Sequence, residues 1–338
     1  MRRALTYMLC AVLLLTATSC LKNELTLTGS LTEGKGQTLR ILYRAADKEK
    51  SFLVDNPVPL DASGRFTLKA ATRYPTVLWI YSMQQGELLM PVYAERGDEL
   101  TLSGKYTEPW GWKVEGNKVM EQYGEWSGAN AKALKSGDES QINAAVAAYV
   151  KKEPDTLTAA FILFTRFNVP GHEDEYRSLV SKLELDDDEL QEMRQACLAP
   201  EAAARGGNAD FGTLRLPSPT DTLTSVSPAG HRSTLVCFWR DVPQAEMQAL
   251  LREVGKDTLR QVVSVYMDTD TVRWHRALRE DSVLGGSTAL WALGGEVNPS
   301  VRPLGVAGTP WLMVVDAKGK ILYGGADPKE ARKKVYPK

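Results

Sequence analysis

The feature that most constrains the fold is an apolar run at residues 234–239, Thr-Leu-Val-Cys-Phe-Trp. A short run that is apolar at successive positions, rather than at alternate ones, is typical of a strand buried on both faces. It is followed by a short loop, Arg240 to Gln244, and by an amphipathic segment that continues to Gly255. This order of strand, tight loop and helix predicts one unit of a sheet whose faces are covered by helices.

The rest of the C-terminal sequence continues the alternation of strands and helices. Apolar runs at 262–267 and 311–315 predict two further strands, and the segment 272–279 predicts a helix between them. A turn at 318–320 predicts a closing hairpin that adds an antiparallel edge. Residues 206–338, which begin with a Gly-Gly-Asn linker, are therefore expected to form an α/β domain.

The N-terminal half has two other patterns. Between residues 20 and 114, short strand-like segments alternate with Gly and Asp turns, at 25–29, 39–43, 66–69, 77–81, 88–93 and 99–104. Short strands at regular spacing predict an antiparallel β-sandwich. Residues 115–205 are rich in alanine and charge and are interrupted by prolines, which predicts a helical connector between the two domains.

The N-terminus has the pattern of a secretory leader. Arg2 and Arg3 precede an apolar run at 4–15, which is too short for a membrane span, and small residues then lead to Cys20. The segment resembles a bacterial lipobox, which implies a signal peptide at 1–19 and a lipidated Cys20. An ordinary signal peptide with an incidental cysteine is the alternative.

The lipobox resemblance implies an address. We expect a lipid-anchored protein of the Gram-negative cell envelope, facing the periplasm or exposed on the outer membrane, with the membrane as a partner through Cys20. The chain has a net charge of −1 and no basic stripe, so a nucleic-acid partner is not expected.

Sequence landmarks in the C-terminal region occur in the order found in one family. They are Ala209-Asp210-Phe211, the run ending at Trp239 with Ala245-Glu246-Met247 after it, Asp268-Thr269-Asp270 with Trp274, and the loop 305–310 before Trp311. Together they resemble the thioredoxin-like domain of envelope thiol-disulfide oxidoreductases and of the related peroxiredoxins. Leu25 to Gly29, Gly64-Arg65-Phe66 and Arg96 to Leu100 resemble the β-sandwich domain of unknown function that precedes such domains in envelope lipoproteins.

The resemblance implies a chemistry for which the expected residues are missing. Thiol-disulfide exchange needs an attacking thiolate at a helix N-terminus and a second, resolving thiol. In this chain that position is occupied by a loop shorter than the family's, which reads Arg240, Asp241, Val242, Pro243, Gln244. We therefore expect no catalytic residue and no cofactor, and a redox-inactive domain that serves in binding or scaffolding.

Two cysteines keep an enzymatic alternative open. A thiol-disulfide oxidoreductase or a peroxiredoxin-like antioxidant enzyme could act through Cys237 or Cys197. Cys237 lies inside the apolar run, where a cysteine usually behaves as a small core residue. An oxidising envelope permits a disulfide between the two, although the position of Cys237 argues against it.

The loop before Trp311 supplies the candidate binding residues. The family resemblance implies that Pro310 is a cis proline after Thr309, and that this loop pairs with extended substrate backbone. Without thiols, the same groove could hold a protein or peptide partner, with Trp239, Asp241, Thr309 and Pro310 as contacts. The histidines are far apart in sequence and lack metal-ligand spacing, so no metal site is expected.

Overall fold

The computed structural model describes residues 24–45, 53–72, 75–169, 171–184, 211, 214–306 and 308–337. Cys10, Cys20, Cys197, the linker at 206–208 and the helix expected at 186–199 lie outside these ranges. The chain divides into two compact units, of which the first extends to Ala131 without residues 49–53, and the second holds the rest. None of the helices within the described ranges is long and apolar enough to cross a membrane.

The first unit contains two four-stranded sheets. Their strands are β1 (Glu24–Thr32), β2 (Thr38–Tyr43), β3 (Val54–Pro59), β4 (Arg65–Ala71), β5 (Thr76–Ser82), β6 (Leu88–Ala94), β7 (Glu99–Lys105) and β8 (Lys113–Glu115). The strand orders are β4-β1-β7-β8 and β3-β2-β5-β6. β1 runs parallel to β7, whereas the other pairs are antiparallel. The expectation of a purely antiparallel arrangement is thus wrong at one pair, because the alternation of side chains is the same in either direction.

Three of the five helices described in the middle region begin at side-chain caps. They are α1 (Lys118–Ala129), α2 (Ala131–Ser136), α3 (Glu139–Lys152), α4 (Leu157–Arg166) and α5 (Glu173–Val180). Asp138 and Thr156 accept hydrogen bonds from backbone N–H groups in the first turns of α3 and α4. These caps satisfy donors that a helix start otherwise leaves unpaired, which explains where both helices begin.

The C-terminal part of the second unit is built on a five-stranded sheet. Its elements follow a short hairpin, β9 (Arg215–Pro217) and β10 (Leu223–Ser225), and are β11 (Ser233–Trp239), α6 (Ala245–Gly255), β12 (Arg260–Tyr266), α7 (Thr271–Glu280), α8 (Ser282–Gly285), β13 (Thr288–Trp291), β14 (Trp311–Asp316), β15 (Ile321–Gly325) and α9 (Pro328–Val335). The strand order is β13-β12-β11-β14-β15. β11, β12 and β13 are parallel, and β14 and β15 are each antiparallel to their predecessor in that order. With a cis bond between Thr309 and Pro310 before β14, this is a thioredoxin-like arrangement.

Strand β11 is buried along its whole length, as the apolar run predicts. Val236 and Phe238 pack into a core on one face of the sheet, with residues of β12 and β14. Leu235, Cys237 and Trp239 pack on the other face, against α6 and α7. The two cores together fix the central strand between covered faces.

A tight turn joins β3 to β4. One carboxylate oxygen of Asp61 accepts hydrogen bonds from the backbone N–H groups of Ser63 (2.7 Å) and Arg65 (2.9 Å). These bonds, that from Arg65 first, hold the pKa of Asp61 below its ordinary value. The carbonyl of Gly64 accepts from the N–H of Leu31 at 2.8 Å, so the turn is bonded directly to β1.

We expect Gly64→Ala to destabilise the protein more than Gly36→Ala. Both glycines have left-handed φ values, +74° and +76°, so the conformational penalty of about 1 kcal/mol is shared. A Cβ on Gly64 lies 2.0 Å from the carbonyl oxygen of Leu31, whereas nothing lies within 4 Å of a Cβ on Gly36. Thermal unfolding of both variants measures the difference, and equal losses of Tm contradict the close contact.

Candidate functional site

The carboxyl ends of three parallel strands meet at one edge of the five-stranded sheet. Trp239, Tyr266 and Trp291 are the last residues of β11, β12 and β13, and they are partners in register. Ligand sites of open α/β sheets lie beyond such strand ends. This carboxyl edge, with the loops that follow the strands, is therefore the candidate functional site.

Four aromatic side chains form a continuous row beneath this edge. The ring centroids of Trp239 and Tyr266 are 4.8 Å apart, and Tyr266 stacks on Trp274 of α7 at 6.2 Å. Trp274 in turn contacts Trp291 at 6.3 Å. Tyr266 is fully buried, and this burial raises the pKa of its hydroxyl far above the ordinary value. The aromatic row (Trp239, Tyr266, Trp274 and Trp291) is a packed floor for the loops above it.

Trp239 was expected to line a groove, but its side chain is only 1% exposed. It points to the same side of β11 as Leu235 and Cys237, into the core beneath α6 and α7. Trp239 therefore supports the site from below and does not contact a partner itself. The alternation of side chains along β11 is the physical reason, since the residue two positions before it is a core residue.

The loop after Trp239 is joined to two later elements by ion pairs. Arg240 donates to Glu296 at 3.0 Å, and Asp241 pairs with Arg273 of α7. Pro243 is buried, whereas Val242 exposes 51% of its surface. The loop thus presents one carboxylate, one guanidinium group and one apolar side chain to solvent.

The start of α6 holds none of the groups that thiol chemistry needs. Gln244 is the N-cap residue and makes no side-chain capping bond, and the first turn carries Glu246 as its acidic residue. No cysteine lies between Arg240 and Gly255. The helix dipole at this end therefore has no thiol whose pKa it could lower.

Cys237 lies in the core and is a free thiol. Its side chain is fully buried, and its Sγ lies 3.8 Å from Sδ of Met247 in α6. Burial raises the pKa of the Cys237 thiol to about 12. Because the thiolate is the nucleophile, the burial and the raised pKa both disfavour nucleophilic attack by this cysteine. Its prediction as a core residue is confirmed.

The cis-proline loop lies next to the end of β11. Trp311, which follows Pro310, is the register partner of Phe238, and this places Pro310 beside the strand end that carries Trp239. Pro310 is exposed and Thr309 is half-buried. The structure thus brings Asp241, Thr309 and Pro310 to the same edge of the sheet with accessible surface.

The histidines do not form a cluster. The ring of His275 packs on Trp274 with centroids 5.0 Å apart, and the ring of His172 contacts Phe167 at 6.3 Å. Within the ranges given above, no group of three His, Cys, Asp or Glu side chains is placed to hold a metal ion.

Comparison with known proteins finds similarity at the level of solved structures alone. No protein-family model and no curated protein matches the chain. A thiol-disulfide oxidoreductase from Bacteroides fragilis matches 36% of this chain and 93% of its own, with 19% identity and a TM-score of 0.32. A thioredoxin-like protein from Bacteroides caccae matches 58% and 76%, with 12% identity and a TM-score of 0.34.

A third similar structure belongs to the peroxiredoxin branch. It is a peroxiredoxin-like protein from Aquifex aeolicus, which matches 34% of this chain and 71% of its own, with 13% identity and a TM-score of 0.27. Similarity this distant carries no information about activity. The thioredoxin-like fold of the C-terminal part of the second unit follows instead from its strand order and its strand directions.

We expect iodoacetamide to leave Cys237 unmodified in the folded protein and to alkylate it after unfolding in guanidinium chloride. With a pKa of about 12 the thiolate fraction at pH about 8 is roughly one in ten thousand, and the side chain is buried as well. Peptide mass spectrometry of the Cys237 peptide, with and without denaturant, measures this. Alkylation in the folded state at the rate of a small free thiol contradicts the expectation.

Proposed function

We propose that this chain is a lipid-anchored cell-envelope protein whose thioredoxin-like domain binds or scaffolds a partner without thiol chemistry. One observation carries the proposal. The loop Arg240–Gln244 and the first turn of α6, where the attacking thiol of such a domain is expected, contain no cysteine. The nearest cysteine, Cys237, is buried inside β11.

The carboxyl edge retains what a binding surface needs. Asp241, Val242 and Pro310 are exposed, and Thr309 is half-buried beside them. Trp239, Tyr266 and Trp274 of the aromatic row are buried beneath this edge. A surface that is ordered before binding loses less conformational entropy when a partner docks. A protein or peptide partner at this edge fits these properties best.

The redox alternative depends on single cysteines. Similar solved structures are named thiol-disulfide oxidoreductases, and such an activity here would have to use Cys237 or Cys197. The burial and the raised pKa of Cys237 oppose its use as a nucleophile. Disulfide reduction that depends on one of these cysteines would distinguish the alternative from the proposal.

For the first unit we infer that the two sheets pack face to face as a β-sandwich. In β1 the side chains of Leu25, Leu27 and Leu31 are buried on one face while the other face is exposed, which requires a second layer. A buried hydrogen bond from the hydroxyl of Tyr106, just after β7, to the hydroxyl oxygen of Ser82 in β5 links the two sheets at 3.1 Å.

We expect the purified protein to reduce the disulfides of insulin no faster than the dithiothreitol background. The reaction needs a thiolate and a resolving thiol, and the site loop offers neither. Thioredoxin serves as the positive control, and turbidity of the released insulin chain is the readout. Cys237→Ser and Cys197→Ser are the matched variants. Turnover above background that either substitution abolishes would establish the oxidoreductase alternative.

We expect Cys20 to carry lipid. Cells that express the protein and are fed an alkyne-bearing palmitate should incorporate label into the wild type and not into Cys20→Ala. Cys10→Ala is the control, since it alters a cysteine of the same leader region and should leave the label unchanged. Label in the Cys20→Ala protein, or none in the wild type, contradicts lipidation at this residue.

A further inference from the structure

The amino edge of the five-stranded sheet, opposite the candidate site, gathers several chain segments. Ser233, Arg260 and Asp316 are register partners there, across β11, β12 and β14. Because β11 and β12 are parallel, α6 must run back to this edge and end there. The end of α9 lies there too, since Arg260 donates to the carbonyl of Val335 at 3.2 Å.

These segments carry a set of exposed cations that we call the basic edge. Its members are Arg232 before β11, Arg252 and Lys256 at the end of α6, Lys318 and Lys320 in the β14–β15 turn, and Lys334 in the last turn of α9. None of the six forms a salt bridge with an acidic side chain of the described part of the chain. Among the described residues, their positive charges are therefore not neutralised by ion pairs.

The acidic groups nearby are already engaged. Glu253 pairs with Arg332 at 3.0 Å, and Asp257 pairs with Arg260. One carboxylate oxygen of Asp316 accepts from the backbone N–H groups of the turn that it precedes, at 2.8 and 2.9 Å. The described carboxylates near this edge thus already have partners, and the net charge of the edge is positive.

An exposed apolar side chain lies among these cations. Leu259, between α6 and β12, exposes 48% of its surface. Its carbonyl accepts from the N–H of Arg232 at 2.7 Å, which places it within the basic edge. Tyr336 is half-buried at the same edge, with the guanidinium of Arg260 over its ring at 4.3 Å.

Helix dipoles explain only part of this arrangement. Cations in the last turns of α6 and α9 complement the negative ends of those helices. Arg232, Lys318 and Lys320 lie on no helix, however, and a helix dipole gives no reason for an exposed leucine. The combination of clustered Lys and Arg with a projecting apolar side chain is characteristic of surfaces that lie on anionic membranes.

We propose that the basic edge docks on a membrane surface that carries anionic phosphate headgroups, with Leu259 inserted at headgroup level. The inference is independent of the thiol content of the opposite edge. It gives the domain an orientation, because the carboxyl edge then faces away from the membrane. Lipidation of the chain would raise the local concentration of this surface at the bilayer.

The test uses the chain from Leu21 onward, which contains every described residue and lacks both leader and lipid. It is sedimented with vesicles of phosphatidylglycerol mixed with phosphatidylcholine, and with vesicles of phosphatidylcholine alone. We expect binding to the anionic vesicles at low salt and its loss at about 0.5 M salt, where the Debye length falls below about 5 Å. Equal binding to both kinds of vesicle overturns the proposal.

Charge reversal locates the surface. Arg252→Glu/Lys256→Glu/Lys334→Glu should weaken binding to anionic vesicles at least about tenfold, since each basic residue near such a surface contributes. Lys35→Glu/Lys113→Glu/Lys118→Glu changes the net charge equally at exposed residues of the first unit and should bind as the wild type does. Thermal unfolding verifies that both triple variants fold.

The variant Leu259→Ser tests the contribution of apolar insertion separately from that of electrostatic attraction to the membrane. It should weaken binding to the anionic vesicles at low salt while leaving the salt dependence unchanged, because no charge is altered. If the two triple variants bind equally well, or if all three variants bind as the wild type does, the basic edge is not the docking surface and the proposal fails.

Discussion

The burial of β11 is the constraint on which the second unit depends. All seven residues from Ser233 to Trp239 are buried, so both faces of the sheet must be covered. Helices α6, α7 and α9 cover one face, whereas residues around β9 and β10 and the segment 292–306 cover the other. The same burial determines the environment of the Cys237 thiol. Cys237 points into the core beneath α6, and the strand that makes the fold possible also keeps this thiol protonated and inaccessible. The fold of the sheet and the burial of this thiol therefore have one physical cause.

Packing, rather than charge, holds the candidate site in place. The ion pair between Asp241 and Arg273 is 78% and 52% exposed at its two side chains. Such exposed pairs contribute about 0–1 kcal/mol and are screened by salt. The buried rings of Trp239, Tyr266 and Trp274 form contacts that water does not weaken. The position of the loop Arg240–Gln244 is therefore determined mainly by packing on these buried rings, which are not accessible to a partner.

The sequence predicted those elements whose periodicity was unbroken. β11, α6, β12, α7 and the closing hairpin lie where apolar runs or amphipathic segments indicate them. β3 escaped detection because Pro57 and Pro59 interrupt it, which an edge strand tolerates and a central strand does not. β13 has only four residues and follows Gly285-Gly286. α9 was missed because most of its residues are charged and few are apolar.

The candidate site was predictable in place but not in detail. Thr309 and Pro310 lie beside the end of β11, as the family resemblance implied. The burial of Trp239 follows from the parity of side chains along β11, which could have been read from Leu235 and Cys237. The aromatic row could not be predicted from the sequence, because Tyr266, Trp274 and Trp291 come from three elements. They meet only through strand register and helix packing.

Charge shows most clearly why composition alone does not describe this surface. A net charge of −1 suggests a chain with little preference for charged partners. Folding separates the charges, because the amino edge collects cations from Arg232, the end of α6, the β14–β15 turn and the end of α9. The opposite edge bears Asp241, Asp268 and Asp270 together with Arg240 and Arg273, and Asp241 is paired with Arg273. Seven-residue strands hold the two edges about 20 Å apart, more than twice the Debye length of about 8 Å at physiological salt. The cations of the amino edge are therefore not neutralised by the carboxylates of the opposite edge.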